Sequence, residues 1–261
     1  MMTKGICFGK TGILFFAATC VIVNIVFAQE TIEEIQNRAI TYGREGKYGK
    51  AIAEIDKALA LNPQSGQLYT FRGQIDDAMG NHEQALKDFN KGVELNSKDA
   101  NSYFLRGHSF VVAGNFDQAI SDLDKAIEIN PGFFEAYDKR GFAYNANGDS
   151  DHALLDFSKA VEINPSYAQG YNNIGSVYYD KGDFDQAIVN YSKAIELNPD
   201  LAQAYNARAQ AYYRNAEYEK AQDDVQKAQK LGYQVSPQFI DALNTAALCN
   251  SLTNIPDYTK Y

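Results

Sequence analysis

Residues 168–201 read AQGYNNIGSVYYDKGDFDQAIVNYSKAIELNPDL, and the Asn198-Pro199 step near the end of that stretch recurs on a fixed grid. Asn62-Pro63, Asn130-Pro131 and Asn164-Pro165 share its phase at a period of 34 residues, and Asn96-Ser97 fills the remaining slot. A period of that length marks an array of small helical units, none able to bury its own apolar face. Within the stretch, Tyr171, Ile174 and Tyr178, then Ala187, Tyr191 and Ala194, recur at three- and four-residue intervals. That is the spacing of a helix face. Gly182 separates the two apolar runs, as Gly46, Gly80, Gly114 and Gly148 do in other copies and Ala216 in the last. Proline disfavours helix in the residue before it. Each unit is therefore expected to be a helix–turn–helix that stops at its Asn-Pro step.

Six units follow from the grid: 32–65, 66–99, 100–133, 134–167, 168–201 and 202–235. The eighth position holds Gly73, Gly107, Gly141, Gly175 or Ala209, and the twentieth holds Ala51, Ala85, Ala119, Ala153, Ala187 or Ala221. Glycine inside a helix costs roughly 0.5–1 kcal/mol relative to alanine, so its repetition points to a close helix–helix contact. The seventh position is Arg38, Arg72, Arg106, Arg140 and Arg208, but Ile174 in the fifth unit. The twenty-third is Glu54, Asp88, Asp122, Asp156 and Asp224, but Asn190 in the fifth unit. The unit that lacks the arginine is the one that lacks the acid. In a hairpin whose turn centres near the fifteenth position, these two positions face each other. The pattern thus predicts an Arg–carboxylate pair inside each of the other five units, where the planar guanidinium fork can make two hydrogen bonds.

These offsets, together with the aromatics Tyr69, Tyr103, Tyr137, Tyr171 and Tyr205 at the fourth position and the closing prolines, resemble the tetratricopeptide repeat family. The resemblance covers about residues 32–235, with tyrosine where that family often has tryptophan. The first unit departs most, carrying Ile35 and Ala39 at the aromatic and glycine positions. The resemblance implies an all-α, right-handed superhelix (an α-solenoid) of about six repeats. It also implies that first-helix positions two, five, nine, twelve and thirteen line a concave groove for a peptide or protein partner. Carried onto this sequence, those positions include Asn101, Phe104, His108, Asp138, Asn145, Gln169, Asn172, Tyr179, Gln203, Asn206 and Tyr213. Side-chain amides can bond a polypeptide main chain whatever its side chains, and the aromatic residues add apolar contact. The family's carboxylate clamp, lysine at the fifth position and asparagine at the ninth, has no match in Gln36/Ile40, Thr70/Gln74, Phe104/His108 or Asn172/Ser176.

Residues 1–28 read as an export signal. Lys4 and Lys10 precede the apolar run Ile13 to Val23, and Val26-Phe27-Ala28 suits a cleavage site before Gln29. This predicts a location outside the cytoplasm, in the periplasm or the medium; retention would instead anchor the chain by its N-terminus. Cleavage would make the net charge of −9 more negative by two lysines. So acidic a chain is not expected to hold nucleic acid or an anionic membrane. It would also leave Cys249 as a single thiol, with no internal disulfide. At the other end, Ser236-Pro237 suits a helix start. Phe239, Ile240, Leu243 and Ala247 predict a capping helix over 236–250, followed by a loose tail over 251–261.

Reactive constellations are absent from the repeats as sequence. His82, His108 and His152 occupy different positions of their units, and no H-E-x-x-H, nucleophile elbow or phosphate loop occurs there. Neither catalysis nor a cofactor is expected, and a site built on His108 and Asp138 is the least favoured reading. A scaffold binding a peptide or protein is the leading one. Its rival is an envelope protein that self-associates without a dedicated ligand.

Overall fold

The computed structural model describes residues 30–253. The export signal expected over 1–28 lies outside the described residues, as does the chain from 254 onward. The described residues form thirteen α-helices and no strand. They pair into six hairpins: α1 Ile32–Arg44 with α2 Tyr48–Leu61, α3 Gly66–Ala78 with α4 His82–Leu95, and α5 Ala100–Val112 with α6 Phe116–Ile129. The pairing continues with α7 Phe134–Ala146 and α8 Ser150–Ile163, α9 Ala168–Asp180 and α10 Phe184–Leu197, then α11 Ala202–Arg214 and α12 Tyr218–Lys230. The last helix, α13, runs Pro237–Thr253, so residues 251–253, expected in a tail, are helical.

The described residues divide into two compact units, the first ending at Leu95 and the second beginning at Asn96. In the first, α2 packs on α3 and joins hairpins 1 and 2. In the second, hairpins 3 to 6 follow one another in the same way, each second helix packing on the next first helix, and α12 packs on α13. First helices also touch directly, α5 on α7 and α9 on α11. The first helices of the second unit thus form a continuous wall. Leu243 of α13 is buried against Tyr205, Val225 and Val235, covering the last hairpin.

The Asn-Pro grid has a local cause. Each of these asparagines ends a helix and turns its side chain back onto the main chain. Asn62 Oδ1 accepts from Gln64 N at 3.3 Å, Asn130 from Gly132 N at 3.1 Å, Asn164 from Ser166 N at 3.2 Å and Asn198 from Asp200 N at 3.1 Å. Asn96 does the same to Lys98 N at 3.2 Å without a proline. The side-chain amide is what stops the helix and sets the turn; proline reinforces it. At the hairpin turns the backbone goes left-handed, as at Gly114 with φ 76°. Ala216 keeps that geometry at φ 61° despite its Cβ, a conformation that favours glycine.

Five hairpins are clasped across their two helices. Arg72 Nε and Nη2 donate to Asp88 at 2.7 and 2.8 Å, and Arg106 reaches Asp122 with two bonds of 2.7 Å. Arg140 meets Asp156 at 2.8 and 2.7 Å, and Arg208 meets Asp224 at 2.7 and 2.8 Å. Arg38 puts Nε and Nη2 on one oxygen of Glu54, at 3.2 and 2.6 Å. The acids are buried, and bonding to Asp88 holds the Arg72 guanidinium firmly in its charged form. Each of the four repeat arginines from Arg72 on also lies over the tyrosine three residues earlier, 5.5–5.8 Å from the ring centre, a favourable cation–π distance.

A third bond from these arginines was not legible as a pair. Arg72 Nη1 reaches Asp56 at 2.7 Å, Arg140 Nη1 reaches Asp124 at 2.5 Å, and Arg208 Nη1 reaches Ser192 Oγ at 2.9 Å. In every case the acceptor belongs to the preceding hairpin, so one guanidinium closes its own hairpin and ties it to its neighbour. The turns add a second tie: Asn147 Nδ2 to Asp117 at 3.0 Å, Lys181 Nζ to Asp151 at 2.6 Å and Asn215 Nδ2 to Asp185 at 2.6 Å.

Candidate interaction face

All eleven groove positions named from the sequence fall on the first helices of the second unit, which form this wall. Its chemistry changes along its length. At hairpins 3 and 4 it is aromatic. Phe104 packs on Phe133 with ring centres 4.7 Å apart and stacks with His108 at 6.4 Å. Phe142, at the ninth position like His108, is 50% exposed. The sequence reading passed over Phe142, although its register alone would have placed it here. A half-exposed phenylalanine offers apolar area to a ligand.

At hairpins 5 and 6 the wall is built from amides. Gln203 Nε2 donates to Gln169 Oε1, and Gln169 Nε2 donates to Asn173 Oδ1 at 2.9 Å. Asn173 Nδ2 in turn donates to Asp138 Oδ1 at 2.8 Å on hairpin 4. Lys139 Nζ lies 3.2 Å from the other Asp138 oxygen. The Tyr167 phenol is half-buried near Asp138. Burial, then the Asp138 charge, pushes that phenol well above its ordinary pKa. Asn173, Lys139 and Tyr167 were absent from the sequence-derived set.

Three residues of that set lie beneath the wall rather than on it. Asp138 is 2% exposed, Asn172 8% and Asn206 9%. All three occupy the fifth position, which in hairpin 3 holds the half-buried Phe104. Asn172 Oδ1 is a buried side-chain oxygen that has no hydrogen-bond partner among the described residues. Tyr179 and Tyr213 are half-buried: Tyr179 sits edge-on to Phe184 at 5.4 Å, and Tyr213 packs against Tyr218 at 5.8 Å and Phe239 at 5.6 Å. Asn145 accepts from Ser150 Oγ at 3.5 Å, a contact within its own hairpin. Asn101 and Gln203 are exposed and Gln169 is partly so. The exposed or half-buried residues of the set are therefore Asn101, Phe104, His108, Asn145, Gln169, Tyr179, Gln203 and Tyr213, and the structure adds Phe142 and Asn173.

Other features stand apart from this face. His82 pairs with Asp77 and His152 with Asp149, both at 2.7 Å on exposed surface. Among the described residues no group of three or more His, Cys, Asp or Glu side chains is placed to hold a metal ion. Among the same residues no helix is long and apolar enough to cross a membrane. Cys249 is exposed on α13. Depressions of about 470 Å³ at Asn147–Asp151 with Lys181, and about 320 Å³ at Gly114–Gln118 with Asn147, are equivalent spaces one repeat apart at the turns. They follow from the stacking.

A family model described as TPR repeat matches residues 107–148, 143–182 and 175–215, and one described as tetratricopeptide repeat matches 35–65 and 66–99. Among solved structures, the chain is similar to MamA, with 27% identity over 63% of this chain and 96% of that one, at a TM-score of 0.57. It is also similar to YrrB, described as a TPR protein with an unusual peptide-binding site, with 22% identity over 68% and 91% of the two chains and a TM-score of 0.56. A tetratricopeptide repeat protein from Parabacteroides merdae aligns over 89% of this chain and 90% of its own at 20% identity and a TM-score of 0.63. No curated protein matches the sequence.

Proposed function

This chain belongs to the tetratricopeptide repeat family, a protein-interaction fold, and on that premise we propose that it is a non-enzymatic scaffold that holds an extended peptide segment against the first helices of hairpins 3 to 6. The observation that carries this reading is the presence on one wall of an aromatic end, exposed Phe142 on α7 and Phe104 with His108 on α5, and an amide end at Gln169, Asn173 and Gln203. The aromatic end suits an apolar side chain. The amide end suits main-chain N–H and C=O groups of any sequence. A standard interface covers about 800 Å² on each partner, which several adjacent hairpins can offer.

Panning a random peptide library displayed on phage tests the reading. Peptides enriched on the wild-type protein should lose at least about tenfold in affinity on Phe142→Ser, the expected cost of truncating an aromatic anchor. They should be unaffected by Leu155→Ser, which alters an exposed apolar residue on a second helix. Peptides indifferent to Phe142 and sensitive to Leu155 would move the site off this wall.

We further propose that the protein acts outside the cytoplasm, on the strength of the lysine-led apolar segment and small-residue step of residues 1–28. Mass spectrometry of the native protein should find Gln29 at the N-terminus. A chain that retains Met1 would favour the membrane-anchored alternative.

A further inference from the structure

The amide row ends on a carboxylate, and that end gives it a direction. Asp138 is 2% exposed, and Asn173 and Lys139 both donate to it. An ionised carboxylate only accepts, so Asn173 must turn its nitrogen toward Asp138 and its oxygen away. That oxygen accepts from Gln169 Nε2 at 2.9 Å, which leaves Gln169 Oε1 facing hairpin 6, where it accepts from Gln203 Nε2. All three amides therefore point their nitrogens the same way, from hairpin 6 through hairpin 5 to hairpin 4. A row of primary amides without a charged end could reverse every member and keep the same number of bonds.

We propose that Asp138 is a positioning residue that acts through Asn173 and Gln169 to fix the orientation of the Gln203 amide two hairpins away, giving the wall a single donor-to-acceptor sense. Hydrogen bonds in a chain polarise one another, so the order is strongest beside the carboxylate and weakest at exposed Gln203. Each linking amide uses one N–H and one oxygen lone pair on its neighbours, which leaves one N–H and one lone pair for a ligand. An extended polypeptide offers one N–H and one C=O per non-proline residue, so a strand laid on this row would be held in one direction. That consequence rests on the peptide-binding reading above; the ordered row itself does not.

Side-chain amide nitrogen–proton spectra of the full chain test the relay directly. In the wild type, Asn173, Gln169 and Gln203 should each show one proton shifted downfield and slowed in exchange, the effect falling in that order. Asp138→Asn keeps the shape but admits both senses. It should erase the signature at all three residues, Gln203 included, while the backbone spectrum of hairpin 6 stays unchanged. Gln169→Leu should erase it at Gln203 and preserve it at Asn173, and adding Asp138→Asn to that variant should change nothing further at Gln203. A Gln203 signal that survives Asp138→Asn, or that survives Gln169→Leu, overturns the relay. The second contrast decides the matter even should Asp138→Asn fail to fold. A peptide selected on the wild type, and its reversed-sequence copy, form a separate arm. If the spectra behave as stated and selection yields no peptide, the relay stands and the peptide-binding reading falls.

Discussion

In hairpin 3, Arg106 joins α5 to Asp122 of α6 by two hydrogen bonds of 2.7 Å and lies over the Tyr103 ring. In hairpin 5 the same two positions hold Ile174 and Asn190. Ile174 is buried with Phe157 and Val177, and Asn190 Nδ2 bonds the Gln186 carbonyl on its own helix at 2.9 Å. The polar link between the two helices has moved to Tyr191, 2% exposed, whose hydroxyl meets Ser176 Oγ at 3.3 Å. One hairpin closes on an ion pair and the other on an apolar plug, with helices of 13 and 14 residues in both. The clasp is thus not what makes a hairpin of this chain close. What hairpin 5 gives up is the third guanidinium bond to the hairpin before it. There the junction uses the Asn173–Asp138 bond instead, together with a close approach at Gly170, where an added Cβ would lie 2.6 Å from Val161.

The sharpest way to break this comparison is to remove half of a clasp. Arg106→Ala leaves Asp122, 5% exposed, without its bidentate donor, and truncating one member of a buried pair costs roughly 3–5 kcal/mol. Arg214→Ala removes an exposed arginine lying 4.6 Å from the Phe184 ring centre, a contact expected to contribute about 0.5–1 kcal/mol. Urea unfolding of the two variants should separate them clearly. Equal small losses would mean that the clasps carry no more than surface pairs do.

Next in size is the glycine contact. A Cβ on Gly175 would meet the Tyr191 ring at 2.7 Å, whereas one on Gly107 would meet Leu123 Cγ at 3.0 Å. Overpacking costs roughly 1–3 kcal/mol, offset by the roughly 0.5–1 kcal/mol that alanine gains over glycine in a helix. Gly175→Ala should therefore destabilise more than Gly107→Ala, because its Cβ presses closer, and onto a ring held at its far end by Ser176. The reverse order in thermal melts would show that the plug of hairpin 5 is the looser of the two.

Converting one hairpin chemistry into the other should cost less still. Arg106→Ile with Asp122→Asn removes both charges, and replacing a whole buried pair is often near neutral. The new asparagine can bond its own helix as Asn190 does. We expect the double variant to unfold within about 1 kcal/mol of the wild type, far above Arg106→Ala alone. A double variant as unstable as the single would show that the guanidinium acts chiefly through its contact with Tyr103 and not through the acid.

The clasps and the hairpins were readable in the sequence because each joins fixed positions of one repeat, so six copies display the hairpin and five of them the clasp at the same offset. The amide row was not, since Asn173 and Asp138 lie 35 residues apart and join the sixth position of one unit to the fifth of the unit before. A reading in fixed register sees no pair there. The tie from Arg140 to Asp124 has a regular offset but crosses between units, and its acceptor changes from aspartate at Asp56 to serine at Ser192. The burial of Asp138, Asn172 and Asn206 was hidden for a related reason: Phe104 holds the same position and is only half-buried, so position within one repeat does not set burial. Register alone did suffice for Phe142.

The smallest expected effect concerns the polar tip of the plug. Tyr191→Phe puts in hairpin 5 the residue that hairpins 2 and 4 already carry there, Phe89 and Phe157. It removes only the long hydroxyl bond to Ser176, so the loss at neutral pH should stay below about 1 kcal/mol. Alkaline pH enlarges the difference in the opposite sense. Burial above all, with the nearby Asp180 and Tyr179 charges and against the Ser176 bond, pushes the Tyr191 hydroxyl up to about 12. The folded state thus favours the neutral phenol. The stability this contributes is whole below the ordinary tyrosine pKa of about 10 and drains away as pH rises through the folded value. Phenylalanine has no such loss, so Tyr191→Phe should overtake the wild type between about pH 10 and 12. Tyr167, shifted in the same direction, remains in both proteins and cancels in the difference. Parallel denaturation curves across that range would mean that the Tyr191 hydroxyl is open to water, and with it the interior of hairpin 5 that the plug is held to seal.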